Sequence, residues 1–365
     1  RLVEIAPSEL IDGPTPRLLD EWQTAPTLWN LVRRQADAAA QPGSFLLTGS
    51  AVPRDDDTRH TGAGRLLRLR QRTLTWYEKS DSDSTGVSLA RLFAGDDEIQ
   101  SSLDQPSLGQ VIARLLAPGF PALLGLPAPR GQRLLRAYAE ETARADIRRV
   151  SDIRHDPEVV YALIRALARS AASQVSYATL AKDLRGLAPG IKLETVSLYV
   201  GLLRSLFVVE AQPAWAPRLR SRARSRQAAK LHLADPALAA AVLGASAERL
   251  ARQPEFLGQL FESAATHDLM VFAQQLDGEV RHYRDSNGHE IDAIVSLPDG
   301  AWGAVEVKLG GPQVQAAARS LAAAVGQIDL AAVGEPAFRL VVTGTGPTLR
   351  LEDGTVTCPL TALRP

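Results

Sequence analysis

Apolar positions change their spacing several times along this chain, and each change predicts an element. Near the N-terminus, Arg17-Leu18-Leu19-Asp20-Glu21 and Ser44-Phe45-Leu46-Leu47-Thr48-Gly49-Ser50 are short apolar runs that end in acids or small polar residues. Between them Leu28, Leu31, Val32 and Gln35 recur at helical spacing and predict a helix over 27–40. Strand, helix, strand in that order predicts a parallel α/β unit, with the polar strand ends on its ligand edge. Helices are predicted over 108–116 and 131–147, on either side of a turn-rich segment at 118–129. Asp156-Pro157 is a helix start signal for 158–172, and Ser176 caps a helix over 177–184. A third helix is predicted over 194–206, and a β segment begins at Phe207-Val208-Val209-Glu210. Three helices and then a β hairpin is the order of a winged helix-turn-helix.

The last part of the chain predicts helix 254–276, strands 280–284, 290–297 and 302–309, helix 312–325 and strand 339–343. The fold class expected is α/β multidomain. The patterns divide the chain into an α/β unit at 1–100, a helical segment at 101–152, a winged-helix segment at 153–245 and a helix-and-sheet domain at 246–365.

Composition narrows the function classes. The chain has 365 residues, with 41 basic against 41 acidic residues, so it is no polycation that coats nucleic acid or anionic membrane throughout. Its single cysteine, Cys358, excludes a disulfide framework and a thiolate zinc site within one chain. No apolar run has the length of a membrane span and the first residues lack a signal-peptide pattern, so a soluble, cytoplasmic protein without a membrane partner is expected. Only five lysines occur (Lys79, Lys182, Lys192, Lys230 and Lys308). The other basic residues are arginines which, with the alanine-rich helices, suggest a GC-rich bacterial genome.

The sharpest chemistry lies in the predicted strands of the last domain. Asp292 sits between Ile291 and Ala293-Ile294, and Glu306 and Lys308 lie in Ala304-Val305-Glu306-Val307-Lys308. The turn Leu297-Pro298-Asp299-Gly300 joins the two strands and sets Asp292 opposite Glu306. Glu306 and Lys308 are two apart and project from one face. Glu262 follows Phe261 on the preceding helix. Carboxylates gathered around one point need a cation, and oxygen ligands suit Mg²⁺ or Mn²⁺, which can orient water and stabilise charge on a phosphodiester. The competing reading is a surface hairpin with cross-strand charge pairs.

A second feature is basic. Arg218, Arg220, Arg222, Arg224 and Arg226 alternate without an acid among them. In an extended strand they would share one face, about 6.6 Å apart, and present a cationic row to a nucleic-acid backbone. The alternatives are a solvated wing or a contact to acids of another domain. No aromatic residue is interleaved, so base stacking is not indicated. The histidines do not cluster at ligand spacing, although His289 flanks Glu290 and Asp292.

The helix-strand-strand-strand-helix-strand order, with Glu262, Asp292 and Glu306-Val307-Lys308, resembles the PD-(D/E)xK nuclease superfamily. That resemblance implies metal binding by Glu262, Asp292 and Glu306 and a catalytic role for Lys308. Arg17 to Gln23 resembles the Walker B motif of AAA-type ATPases, which implies that Asp20 helps hold Mg²⁺ and Glu21 activates water. Thr48 falls in a stretch that resembles their polar sensor strand. The segment Thr58 to Arg65 follows as it does in a prokaryotic family that joins an AAA-type ATPase, a winged helix and a C-terminal domain of unknown function with a PD-(D/E)xK core. By that resemblance Arg65 faces a nucleotide phosphate; an ordinary surface arginine is the alternative. Trp215 to Leu238, with Lys230 before Leu231-His232-Leu233-Ala234-Asp235, is also similar to that family.

One element of the pattern is missing. A phosphate loop needs a lysine after a glycine, and none of the five lysines follows one. The chain is expected to be a shortened member or to have lost the loop, to take ATP only if that loop is supplied, and to hydrolyse it poorly. The resemblance as a whole implies nucleic acid as a partner, with a homo-oligomer or a protein partner also open. Two functions follow: a metal-dependent nucleic-acid-cleaving domain, or a non-catalytic DNA- or protein-binding regulatory module with a silent nuclease fold.

Overall fold

A computed structural model of the chain describes residues 5–39, 41–50, 64–80, 86–96, 98–150, 155–216 and 228–365. The arginine row at 218–226 lies outside the described residues, as do residues 58–63, His60 among them, of the segment Thr58 to Arg65.

The N-terminal prediction holds in its order. β1 (Arg17–Leu19) and β2 (Phe45–Leu47) pair in parallel, with Leu18 opposite Leu46, and α1 (Thr27–Ala39) makes the crossover. Ile11, Leu28 and Val32 form a small core against this pair. The chain then runs as a strap through the rest of the molecule. Leu74 N–H donates to the Gly119 carbonyl at 2.8 Å, and Trp76 N–H donates to Asp268 Oδ2 at 2.9 Å. Trp76 meets Phe261 edge-on, at 6.0 Å between ring centroids. β3 (Val87–Ser88) pairs in parallel with β12 (Leu363–Arg364), so two segments distant in sequence share one ladder.

Helices fill the middle. α2 (Leu89–Phe93) is followed by α3 (Leu108–Leu116), which starts at a reciprocal capping box between Ser107 and Gln110 and buries Val111, Ile112, Leu115 and Leu116. α4 (Ala128–Glu141) continues through a π turn at Thr142–Asp146 into Ile147–Val150. The predicted uniform helix over 131–147 thus starts three residues earlier and is interrupted. α5 (Pro157–Arg169) begins with Asp156 Oδ1 accepting from Glu158 N–H, and α6 (Tyr177–Leu184) with Ser176 accepting from Thr179 N–H. α7 (Leu193–Ser205) leads to an antiparallel hairpin of β4 (Val209–Gln212) and β5 (Lys230–Leu233), with Gln212 opposite Lys230 and Glu210 opposite His232. The short helices α8 (Pro236–Leu243) and α9 (Ala247–Ala251) follow.

The last part is a six-stranded mixed sheet with helices on both faces. Its order is β10 (Leu349–Arg350), β11 (Val356–Pro359), β9 (Phe338–Thr345), β8 (Trp302–Gly310), β7 (Glu290–Ser296), β6 (Glu279–Arg284). Ala293, Val295, Val305, Val307, Leu340 and Val342 share the main core with Leu260, Phe261 and Ala264 of α10 (Pro254–Gln275). Ile291, Ile294, Trp302 and Ala304 share a second core with Leu321, Ala324 and Val325 of α11 (Val314–Val325). This alternation is what a strand buried on both faces requires. α11 is the crossover between parallel strands β8 and β9. The predicted turn closes with Leu297 N–H on the Ala301 carbonyl at 2.8 Å, and Gly300 takes φ +94° there.

Gly303 in β8 lies against the Phe338 ring, where an added Cβ would stand 2.1 Å from the nearest ring atom. Phe338 is itself held edge-on by Phe93 at 5.0 Å. Gly303→Ala should therefore destabilise the fold by about 1–3 kcal/mol, read as a lower urea midpoint at unchanged slope.

Candidate functional site

The hairpin register brings the predicted residues together. Ala293 pairs with Val305 and Ile294 with Ala304, so the next step of the ladder sets Asp292 opposite Glu306, as the turn arithmetic predicts. On its other side β7 slips against β6. Arg281 pairs with Ile294 and Tyr283 with Ile291, so Asp292 and Ala293 together stand opposite His282. Such a bulge re-aims a side chain, and here the Asp292 carboxylate turns to accept from Val307 N–H at 2.9 Å.

Two lysines complete the cluster. Lys308 Nζ donates to Glu306 Oε1 at 2.7 Å and lies 3.9 Å from Asp292 Oδ2. Lys230, on β5, donates to Glu262 Oε1 at 2.5 Å and lies 3.7 Å from Asp292 Oδ1. The four predicted residues thus meet at one place, and the fifth member comes from the hairpin. Sequence reasoning left Lys230 without a role. The signal was lysine scarcity, since Lys230 and Lys308 are two of five.

Burial sets the electrostatics. Glu262 and Glu306 are both pushed up to about 7, first by burial and then by the neighbouring Asp292 charge. Burial alone would lower the two ammoniums, but the carboxylates around them outweigh it and hold Lys230 and Lys308 above the ordinary lysine value. Glu306 Oε2 is buried without a hydrogen-bond partner among the described residues.

A buried polar relay supports this arrangement. Gln212 Nε2 donates to the Asp292 carbonyl at 2.8 Å, so its Oε1 is free to accept from His232 Nε2–H at 3.3 Å. His232 Nδ1 then accepts from Ser263 Oγ–H at 3.0 Å, next to Glu262. This tautomer needs a neutral ring, and burial lowers His232 to about 3. The hairpin is also sewn to the edge of β6: His282 N–H donates to Pro213 O at 3.0 Å and Trp215 N–H to His282 O at 2.6 Å.

The N-terminal candidates form a separate group. Thr48 Oγ1 donates to Asp20 Oδ1 at 2.5 Å, and Ser50 Oγ donates to Glu21 Oε2 at 3.1 Å. Glu21 adopts a left-handed backbone, φ 50°. Arg65 is paired with Asp37 on α1. Arg218, Arg220, Arg222, Arg224 and Arg226 fall outside the described residues. His289 turns to Asp285 in its own loop, Nδ1 to Oδ2 at 3.1 Å. Cys358 is fully buried, which pushes its thiol up to about 12 and leaves it inert.

The donor chemistry of the acid cluster suits a hard divalent ion in kind, and the unpartnered Glu306 oxygen points the same way. The arrangement does not fit one. Among the described residues no three His, Cys, Asp or Glu side chains stand where they could hold a single ion. Lys230 supplies the positive charge between Glu262 and Asp292 instead.

Residues 257–363 match the model of a domain of unknown function (DUF4143), a domain often found with AAA-type ATPases. The match takes in Glu262, Asp292, Glu306 and Lys308 and ends inside β12. Residues 109–249 match a second domain of unknown function (DUF8612), which includes the helices, the hairpin and Lys230. No curated protein and no solved structure matches the chain. No helix among the described residues is long and apolar enough to cross a membrane.

Lys230→Ala leaves Glu262 and Asp292 facing each other without their ammonium. It should destabilise the chain by about 3–5 kcal/mol in urea unfolding, whereas Lys230→Met combined with Glu262→Gln should recover part of that loss. Glu306 carries the pH dependence. Its folded pKa, about 7, lies above the ordinary glutamate value, so the native state holds a proton that the unfolded chain has released. Relative to Glu306→Gln, the unsubstituted chain should lose stability as pH rises from about 4.5 to about 7 and then level off, read from urea midpoints across that range.

Proposed function

We propose that this chain is a nucleic-acid-directed regulatory protein whose nuclease-like C-terminal fold is silent as arranged here. One observation carries the reading: the Lys230 ammonium stands between Glu262 and Asp292, where a nuclease of this type would need a metal. The order of α10, β6, β7, β8, α11 and β9, with its acids and Lys308 at one place, supports a PD-(D/E)xK-like ancestry. The helices α5 to α7 and the hairpin after them support a winged-helix reading. The Asp20–Thr48 and Glu21–Ser50 contacts support an ATPase-like N-terminal unit. The arginine row beside Lys230 in sequence supplies the affinity for a phosphate backbone.

A second reading, metal-dependent cleavage, is favoured by the unpartnered Glu306 Oε2 and by Lys308 standing 2.7 Å from the same carboxylate.

The experiment separates them. Supercoiled plasmid and single-stranded RNA are incubated with the chain and Mg²⁺ or Mn²⁺, beside Asp292→Ala. The expected result is no cleavage above that variant, together with salt-dependent DNA retention that weakens when the five arginines become glutamine. Cleavage that Asp292→Ala abolishes would overturn the silent reading and establish the second.

A further inference from the structure

We propose that Arg70 and Arg204, beside the Phe207 ring, form a binding site for the terminal phosphate of a nucleic-acid strand. The inference rests on the nucleic-acid-directed reading and names the group of the ligand that this part of the chain takes.

The first observation is a charge imbalance where the strap crosses the turn between α7 and β4. Arg72 forks onto Glu210, Nη2 to Oε1 at 2.7 Å and Nε to Oε2 at 3.1 Å, and gives Nη1 to Gln274 Oε1 at 2.5 Å. Arg70 reaches the same carboxylate, with Nη1 at 3.3 Å from Oε1. Two residues apart and on one carboxylate, the pair projects from one side of an extended backbone. Arg204 is exposed, and its carbonyl accepts from Phe207 N–H at 3.0 Å, so it belongs to the same turn. Glu210 is the acid whose charge bears on Arg70, against the charges of Arg72 and Arg204. Three guanidiniums around one carboxylate leave a surplus of two positive charges.

The second observation is donor capacity. Arg72 is spent on Glu210 and Gln274, but Arg70 enters no hydrogen bond among the described residues although its side chain is only 28 % exposed. A guanidinium has five N–H donors in a fixed plane, and a half-buried one without acceptors is a group that calls for a ligand. The Phe207 ring holds that plane in place, with Arg70 Cζ 5.3 Å from the ring centroid. Phe207 adopts a left-handed backbone, φ 57°, which is uncommon for a bulky residue and belongs to the turn that carries its ring to Arg70. Burial lowers the hold of Arg70 on its proton; Glu210 opposes this, and Arg72 and Arg204 add to it. A bound anion would accept the free donors and answer the surplus charge together.

The third observation sets the class of anion. Both residues are arginines, whose planar fork matches phosphate oxygens in pairs. An internal phosphodiester or a carboxylate brings a single charge. A terminal phosphate monoester carries about −1.5 to −2 at neutral pH, which matches the surplus of two. The charge count therefore selects the end of a strand over its interior.

The test is fluorescence anisotropy of short single-stranded DNA on the full chain in about 0.1 M salt, with the dye on an internal base. The strands carry a phosphate at the 5′ end, at the 3′ end or at neither. At least one phosphorylated strand should bind about tenfold tighter than the strand with hydroxyl ends. Arg70→Gln and Arg204→Gln should each bring that preference to about twofold or less and leave the hydroxyl-ended strand bound as before. Thermal unfolding is the control for folding. Arg204 is exposed, so Arg204→Gln decides should Arg70→Gln not fold. Equal affinity of the unsubstituted chain for all three strands overturns the proposal, and so does a preference that a folded Arg204→Gln retains in full. The two proposals fail separately: a chain that binds the three strands equally loses only this one, and a chain that binds none of them loses the nucleic-acid reading as well.

Discussion

Three carboxylates gathered at one point, Glu306 buried and Glu262 and Asp292 half-buried, cannot all ionise unless positive charge stands among them, and the C-terminal half of this molecule is arranged around that constraint. The sheet supplies Asp292, Glu306 and Lys308, and α10 supplies Glu262, but the ammonium between Glu262 and Asp292 comes from the hairpin that precedes the domain. The hairpin is therefore part of the site. Breaking a buried charge pair on one side is far more damaging than replacing both partners, so a change at Lys230 alone would leave Glu262 and Asp292 without the charge that answers them.

The fold was legible where periodicity and start signals agree. The four expected strands of the last domain appear within two residues of expectation because their apolar residues alternate or run continuously between strong turns, whereas β10, β11 and β12 were not expected. The caps at Asp156 and Ser176 start their helices where a local side chain satisfies the first free N–H groups. What the sequence hid was non-local. Val87–Ser88 and Leu363–Arg364 are too short to signal a strand, and their pairing joins segments far apart in the chain. The π turn at Thr142–Asp146 interrupts a helix whose composition reads as uniform.

The site was half legible. The turn at 297–300 fixes the register, and the register fixes Asp292 opposite Glu306. Lys230 was not legible, because the hairpin strands Val-Glu-Ala-Gln and Lys-Leu-His-Leu alternate as half-exposed strands do. In the folded chain that polar face is covered: Glu210, Gln212, Lys230 and His232 are all buried. Alternation reports that a strand has two chemically different faces. It does not report whether the polar one meets water or a neighbouring layer of acids and amides.

That covered polar face also fixes the hairpin in place. Arg72, from the strap that leaves the N-terminal unit, donates to Glu210 at 2.7 Å, and Glu210 lies opposite His232, which connects through Gln212 to the strand of Asp292. A slip of one residue in β5 would turn Lys230 and His232 toward the apolar core and Leu231 toward the acids. Glu262 and Asp292 would lose their ammonium and Gln212 and Ser263 their shared imidazole in the same step. The apolar face already opposes such a slip, because it would exchange the two faces of the strand, and the buried layer of hydrogen bonds and charges adds a directional penalty to it. The polar layer therefore selects one register, and that register is the one that places a lysine among three carboxylates.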